Sequence, residues 1–112
     1  MNEIVNYLNQ KEYSFEKKFD RFTLRYKSES IYGSLGWIHI DVNEERVGKY
    51  SLVIENVYPS CRRSIVCSYG KKYCSVNGYG IGKDILLDKK QLVSKIESAL
   101  SNYEILRQCK KS

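Results

Sequence analysis

The sequence predicts a single α+β domain spanning residues 1–112: a short N-terminal helix, an antiparallel β-meander of about five strands, and a long C-terminal amphipathic helix packed on one sheet face. Three observations predict it. Residues 37–42 and 50–54 alternate between two side-chain sets, as strands do. Residues 88–106 repeat apolar side chains every three or four positions, as a helix with one buried stripe does. The chain has 112 residues and 42% hydrophobic content, enough for one core and too few residues for two domains.

The elements follow in order. Asn2 can cap a helix over Glu3 to about Gln10, where Ile4 and Leu8 lie one turn apart and Val5 and Tyr7 widen the apolar side. So short a helix must dock to persist. Between Glu12 and Lys27, Phe15, Phe19 and Phe22 fit a helical stripe, but Phe22, Leu24 and Tyr26 alternate with Thr23, Arg25 and Lys27. A hairpin turning near Lys18-Phe19 is the better fit, with Phe15 facing Phe22 and Tyr13 facing Leu24. Its turn lacks the Gly or Asn-Gly that such turns prefer.

In the next strand Ile38, Ile40 and Val42 share one face, and Trp37, His39 and Asp41 the other. Asn43 to Gly48 is polar, ends in glycine and reads as a loop. Lys49 to Val57 follows as a strand with Tyr50, Leu52 and Ile54 on one side. Val53 and Val57 on the other side require cover on both faces. Pro59 ends that ladder. Ser64–Tyr69 and Tyr73–Gly78 read as a further hairpin around Gly70-Lys71-Lys72, with Ile65, Cys67 and Tyr69 on one face. Asp88 and Gln91 then form a capping box. Leu92, Val93, Ile96, Ala99, Leu100, Tyr103 and Leu106 make the stripe of the last helix, and its basic tail offsets the macrodipole.

Charge is unevenly spread. Net charge is +6, yet residues 1–57 sum to −1 and residues 58–90 to +5, with seven Lys/Arg against Asp84 and Asp88. Within the basic half, Tyr58, Arg62, Arg63, Tyr69, Lys71, Lys72, Tyr73, Tyr79 and Lys83 interleave cations with phenols. Phosphates pair with such cations and bases stack on such rings. Tyr and Arg also anchor protein interfaces. A solvated hairpin with ordinary solubilising lysines is the structural alternative.

Several chemistries are weighed down. Gly78-Tyr-Gly-Ile-Gly-Lys83 resembles a phosphate loop but has Asn77 where the first glycine belongs and Asp84 where a Ser or Thr would hold magnesium. A turning connector explains those glycines as well. His39 and Asp41 are two apart on a strand, roughly 7 Å, too far for a dependable dyad. Glu44-Glu45 fall in the expected loop and read as solvated charge. Cys61, Cys67, Cys74 and Cys109 form no close-set pairs and read as reduced packing thiols. A Cys67–Cys74 disulfide would need an oxidising compartment. No cofactor or metal is expected. The N-terminus lacks a signal-peptide pattern and no apolar run is long enough to span a bilayer, so a cytoplasmic protein without membrane contact is expected.

The expected function is therefore non-enzymatic binding. The contact residues are Arg62, Arg63, Tyr69, Lys71, Lys72, Tyr73, Tyr79 and Lys83, with Trp37 and His39 as a secondary face. The partner is nucleic acid directly, or a host protein or nucleoprotein complex. Short, tyrosine-rich and free of recognised motifs, the chain is similar in general style to small phage and mobile-element proteins that inhibit a host nuclease or defence system. One alternative is a homodimer or other partner-dependent structural protein using the Trp37/His39 face or a sheet edge. A small metal-dependent nuclease or hydrolase is the third.

Overall fold

The computed structural model describes residues 2–27, 35–57, 63–70, 82–83 and 85–101. The elements run α1 (Asn2–Gln10), β1 (Phe15–Lys18), β2 (Arg21–Lys27), β3 (Leu35–Arg46), β4 (Lys49–Val57), β5 (Arg63–Tyr69), β6 (Gly82–Lys83) and α2 (Lys89–Leu100). Strands β1 to β5 form an antiparallel sheet in chain order, and both helices contribute to its core. The two-residue β6 adds a parallel pairing on the far edge, Ser68 opposite Gly82 and Tyr69 opposite Lys83. The antiparallel partner expected for β5 at residues 73–78 lies outside the described residues. No helix among the described residues is long and apolar enough to cross a membrane.

Alternation puts one face of the sheet inside. Phe22, Leu24, Ile38, Ile40, Val42, Tyr50, Leu52 and Ile54 are all buried, and they share a core with Ile4, Leu8, Leu92, Ile96 and Leu100 from the helices. Ile40 stands opposite Phe22 on β2 and opposite Ile54 on β4. The other face holds Trp37, His39 and Asp41, as the alternation predicts. Strand β4 is buried on both faces, since Val53 is only 3% exposed and Val57 9%.

The first hairpin forms with its register moved by two. Phe15 stands opposite Leu24, and Lys17 opposite Phe22. Parity is unchanged, so Phe15 still reaches Phe22 diagonally, with ring centroids 6.0 Å apart. The shift follows from a turn one residue later than expected, in which Lys18 pairs with Arg21 and only Phe19 and Asp20 are left over. The second hairpin is tighter than expected. The expected loop at 43–48 is mostly strand: β3 runs to Arg46, and Val47-Gly48 make the turn, with Gly48 at φ 74°. Glu44 and Glu45 are held by neighbours across the strand. Glu44 stands opposite Tyr50, whose phenol it pushes above 10.0, and Glu45 accepts a 2.8 Å hydrogen bond from Ser51. A bulge between β4 and β5 corrects a third expectation. Cys67 stands opposite Ile54 but Ile65 stands opposite Glu55, so Ile65 does not share a register face with Cys67 and Tyr69.

Helix ends follow local chemistry. Asp88 accepts from the Gln91 amide N–H at 2.8 Å and Gln91 accepts from the Asp88 N–H at 3.0 Å, completing the capping box. The helix itself is 12 residues, shorter than the stripe implied. Ser101 turns its hydroxyl back onto the Ser98 carbonyl at 3.0 Å, the competition through which serine disfavours helix interiors. Tyr103 and Leu106 lie outside the described residues. Helix α1 ends in a Schellman motif: Tyr13 N–H reaches the Leu8 carbonyl and Glu12 N–H the Asn9 carbonyl, each at 3.0 Å. Glu12 occupies the left-handed position at φ 61°, where glycine is usual.

Gly70 lets the sheet change partners. Beside Ser51 the chain of β5 turns away at φ 77°, and Leu87 takes over next to Tyr50 through two backbone hydrogen bonds of 2.7 and 2.8 Å. A Cβ on Gly70 would meet the Leu86 side chain at 2.7 Å and Ser51 Cβ at 3.1 Å.

Two predictions follow from this core. Gly70→Ala should cost roughly 1–3 kcal/mol in urea unfolding, from left-handed backbone plus overpacking. Gly48→Ala, equally left-handed but with open space around it, should cost less. Burial, with Tyr13 and Glu97 nearby, pushes the Tyr7 phenol from 10.0 up to about 12. The folded chain therefore keeps a proton that the unfolded chain gives up. That stability is fully present below pH 10 and lost as pH rises toward 12. Tyr7→Phe should flatten the fall in the urea midpoint across that window.

Candidate interaction surface

The face away from α1 and α2, helix-free among the described residues, is organised by register into rows running across the strands. One row reads Arg25, Trp37, Val57, Arg63, each opposite the next on neighbouring strands. The next reads Glu16, Thr23, His39, Glu55, Ile65. A third reads Lys18, Arg21, Asp41, Val53, Ser68 and Gly82.

Its polar groups are mostly engaged. Arg21 donates twice to Asp41, at 2.7 and 3.0 Å, a bidentate pair. Arg25 donates to Glu16 at 3.3 Å. His39 Nδ1 lies 3.1 Å from the Thr23 hydroxyl. The Asp41 carboxylate, the only dyad partner considered for His39, is thus committed to Arg21. Among the described residues no group of three or more His, Cys, Asp and Glu could hold a metal ion.

The basic stretch separates into two places. Arg63 opens β5, next to Val57, whereas Tyr69 closes it and stands opposite Lys83. Six residues of extended chain put about 20 Å between those positions. Arg62, Lys71, Lys72, Tyr73 and Tyr79 lie outside the described residues. Tyr69 turns toward the helix side: it packs on the core and Lys95 Nζ sits 5.6 Å from its ring centre. Cys67 is on that side too. Burial pushes its thiol up to about 11, against the smaller opposing effects of an Ile54 backbone hydrogen bond and Lys95. Cys67 is a free thiol, and Cys61, Cys74 and Cys109 lie outside the described residues.

Register brings together residues that the sequence kept apart. Trp37, half-buried, stands between Arg25 and the Val57–Arg63 pair. Arg25 gave no sign of this, because it lies in the electroneutral half of the chain. The sheet edge considered for self-association is the four-residue β1, bearing Glu16, Lys17 and Lys18, and a short charged edge resists strand addition.

The turn end of the sheet carries a second feature that alternation could not reveal. Phe19 is 87% exposed, Val47 96% and Ile85 59%. Phe19 and Val47 are hairpin tips at one end, and Ile85 lies two residues before the Leu87–Tyr50 bridge at that end. Phe19 also sits at φ 55°, in the first central turn position, where glycine is preferred. The only signal in the sequence was the missing turn glycine.

No family model, curated protein or solved structure matches the chain.

The Arg21–Asp41 pair generates a prediction. The two side chains are 48% and 26% exposed, so a double-mutant cycle with Arg21→Ala and Asp41→Ala should return a coupling of about 0.2–1 kcal/mol that shrinks with salt.

Proposed function

We propose that this chain is a non-enzymatic binding protein that engages nucleic acid, alone or in a nucleoprotein complex, through its basic second half. In this reading it acts in the cytoplasm as an inhibitor of a host nuclease or defence system, of the kind that phages and mobile elements carry. The observation that supports it best is the row Arg25–Trp37–Val57–Arg63. An indole with an arginine on the next strand and another two strands away, and with Arg62 adjacent in sequence, is suited to a base stacked on a ring with phosphates on either side. The +5 charge of residues 58–90 supplies the long-range attraction.

The register also suggests how the rest of the stretch contributes. Lys83 is anchored beside Tyr69 at the other end of β5, with Lys71 and Lys72 next to Gly70 in sequence. A nucleic acid on the Trp37 face would meet the Arg63 end of β5, while the Tyr69–Lys83 pairing belongs to the other register face. Each added phosphate contact raises affinity and steepens its dependence on salt.

Fluorescence anisotropy with labelled single-stranded and duplex oligonucleotides tests this. Arg62→Glu with Arg63→Glu should weaken binding at least about tenfold and lower the log–log salt slope by about 2. Trp37→Ala should cost about 1–3 kcal/mol of binding, and Trp37→Phe much less. If the double charge reversal leaves oligonucleotide binding unchanged, the site is misassigned.

A further inference from the structure

Phe19 breaks two local rules at once. It places an aromatic ring in water, and it places a bulky side chain where the turn demands positive φ. Nothing among the described residues compensates for either. Such conflicts mark places where an outside contact completes the structure.

A groove of about 400 Å³ opens beside this residue, lined by Lys18, Phe19, Asp20, Arg21, Asp41, Asn43 and Val53. By register it lies on the helix-free face, with Lys18, Arg21, Asp41 and Val53 in one cross-strand row. Val53, almost fully buried, lies at its floor, Phe19 supplies the rest of its apolar lining, and the polar residues form its borders. A phenyl ring fits a space of this size. Phe19 itself stands at the rim, 87% exposed.

We propose that this surface joins two copies of the chain, the Phe19 ring of each entering the groove of the other. Ring and groove side by side on one molecule are what an isologous contact requires, since the same patch must serve as both donor and acceptor of the contact. Charge selects a second copy over other occupants. The chain carries +6, so two copies repel on average, yet the groove's lining holds two cations, Lys18 and Arg21, and two carboxylates, Asp20 and Asp41. The patch is locally neutral. Arg21 and Asp41 already pair within the chain, while Lys18 and Asp20 have no ion-pair partner among the described residues. Across a two-fold axis, Lys18 of one copy can meet Asp20 of the other, twice. A neutral patch offers nothing to a polyanion, and Asp20 beside the tip opposes entry into an anionic bilayer.

The area sets the strength. Two phenyl rings bury roughly 300–500 Å², against about 1,200–2,000 Å² for a standard interface. The dimer is therefore a weak one. It is also independent of the nucleic-acid reading, because the Arg25–Trp37–Arg63 row lies at the opposite end of β2 and β3.

Sedimentation velocity and light scattering from about 10 μM to about 1 mM span the affinities such an area supports. The expected result is a weight-average mass rising from 13.1 kDa toward twice that value. Phe19→Gly should hold the monomer mass throughout while melting no lower than the unaltered chain, because glycine suits the turn. Lys18→Glu should weaken the dimer at least tenfold, and adding Asp20→Lys to it should restore association. A chain that stays monomeric to about 1 mM, or a Phe19→Gly variant that dimerises as before, overturns the proposal. So does a monomer that instead co-sediments, dependent on Phe19, with phosphatidylserine–phosphatidylcholine vesicles, which would make the tip a membrane contact.

Discussion

The register of β3 on β4, with Ile40 opposite Ile54 and Val42 opposite Leu52, decides what the two helices can cover. A slip of one residue would turn Trp37, His39 and Asp41 inward and expose the isoleucines. The hairpin resists this through its tight Val47-Gly48 turn and through the hydrogen bond that Ser51 makes to Glu45. Once that register holds, Phe22 and Leu24 of β2 extend the apolar face on one side. Leu92, Ile96 and Leu100 of α2, with Ile4 and Leu8 of α1, close it from above. Neither helix is long enough to stand alone, so both depend on the face that β3 and β4 create.

The far side of the sheet obeys a different economy. Its charges are mostly paired across strands, Arg21 with Asp41 and Arg25 with Glu16. Exposed pairs of this kind stabilise little but arrange side chains in rows. The rows turn distant sequence positions into neighbours, placing Trp37 between Arg25 on β2 and Val57 on β4. The same register divides the basic stretch, with Arg63 at one end of β5 and the Tyr69–Lys83 pairing at the other.

Two left-handed residues other than glycine show how local conflict can be resolved or left open. Glu12, at φ 61°, is compensated: its turn completes a Schellman motif that buries Tyr13 over Leu8. Phe19, at φ 55°, has no such return among the described residues. Its exposed ring and the neighbouring groove lie at the other end of β2 from the tryptophan row.

The sequence by itself determined the parts of the fold governed by local periodicity. Alternation assigned Ile38, Ile40 and Val42 to the core face and Trp37, His39 and Asp41 to the other. The Asp88 and Gln91 side chains specified where α2 starts. The buried Val53 and Val57 were readable as cover on both faces of β4. What only the tertiary structure decided depends on pairings between segments. Turn position set the first hairpin two residues away from the register that ring-to-ring matching implied. A bulge moved Ile65 out of the row of Cys67. Helix α2 spans only Lys89–Leu100, short of the last members of its stripe. The candidate surface shows the same division. Periodicity placed Trp37 on the helix-free face, but only strand pairing could set it beside Arg25 and show that the continuous basic stretch is anchored at two separate ends of β5. Charge and composition are properties of the chain in order, whereas a surface is made of neighbours across strands, and those neighbours are chosen by register.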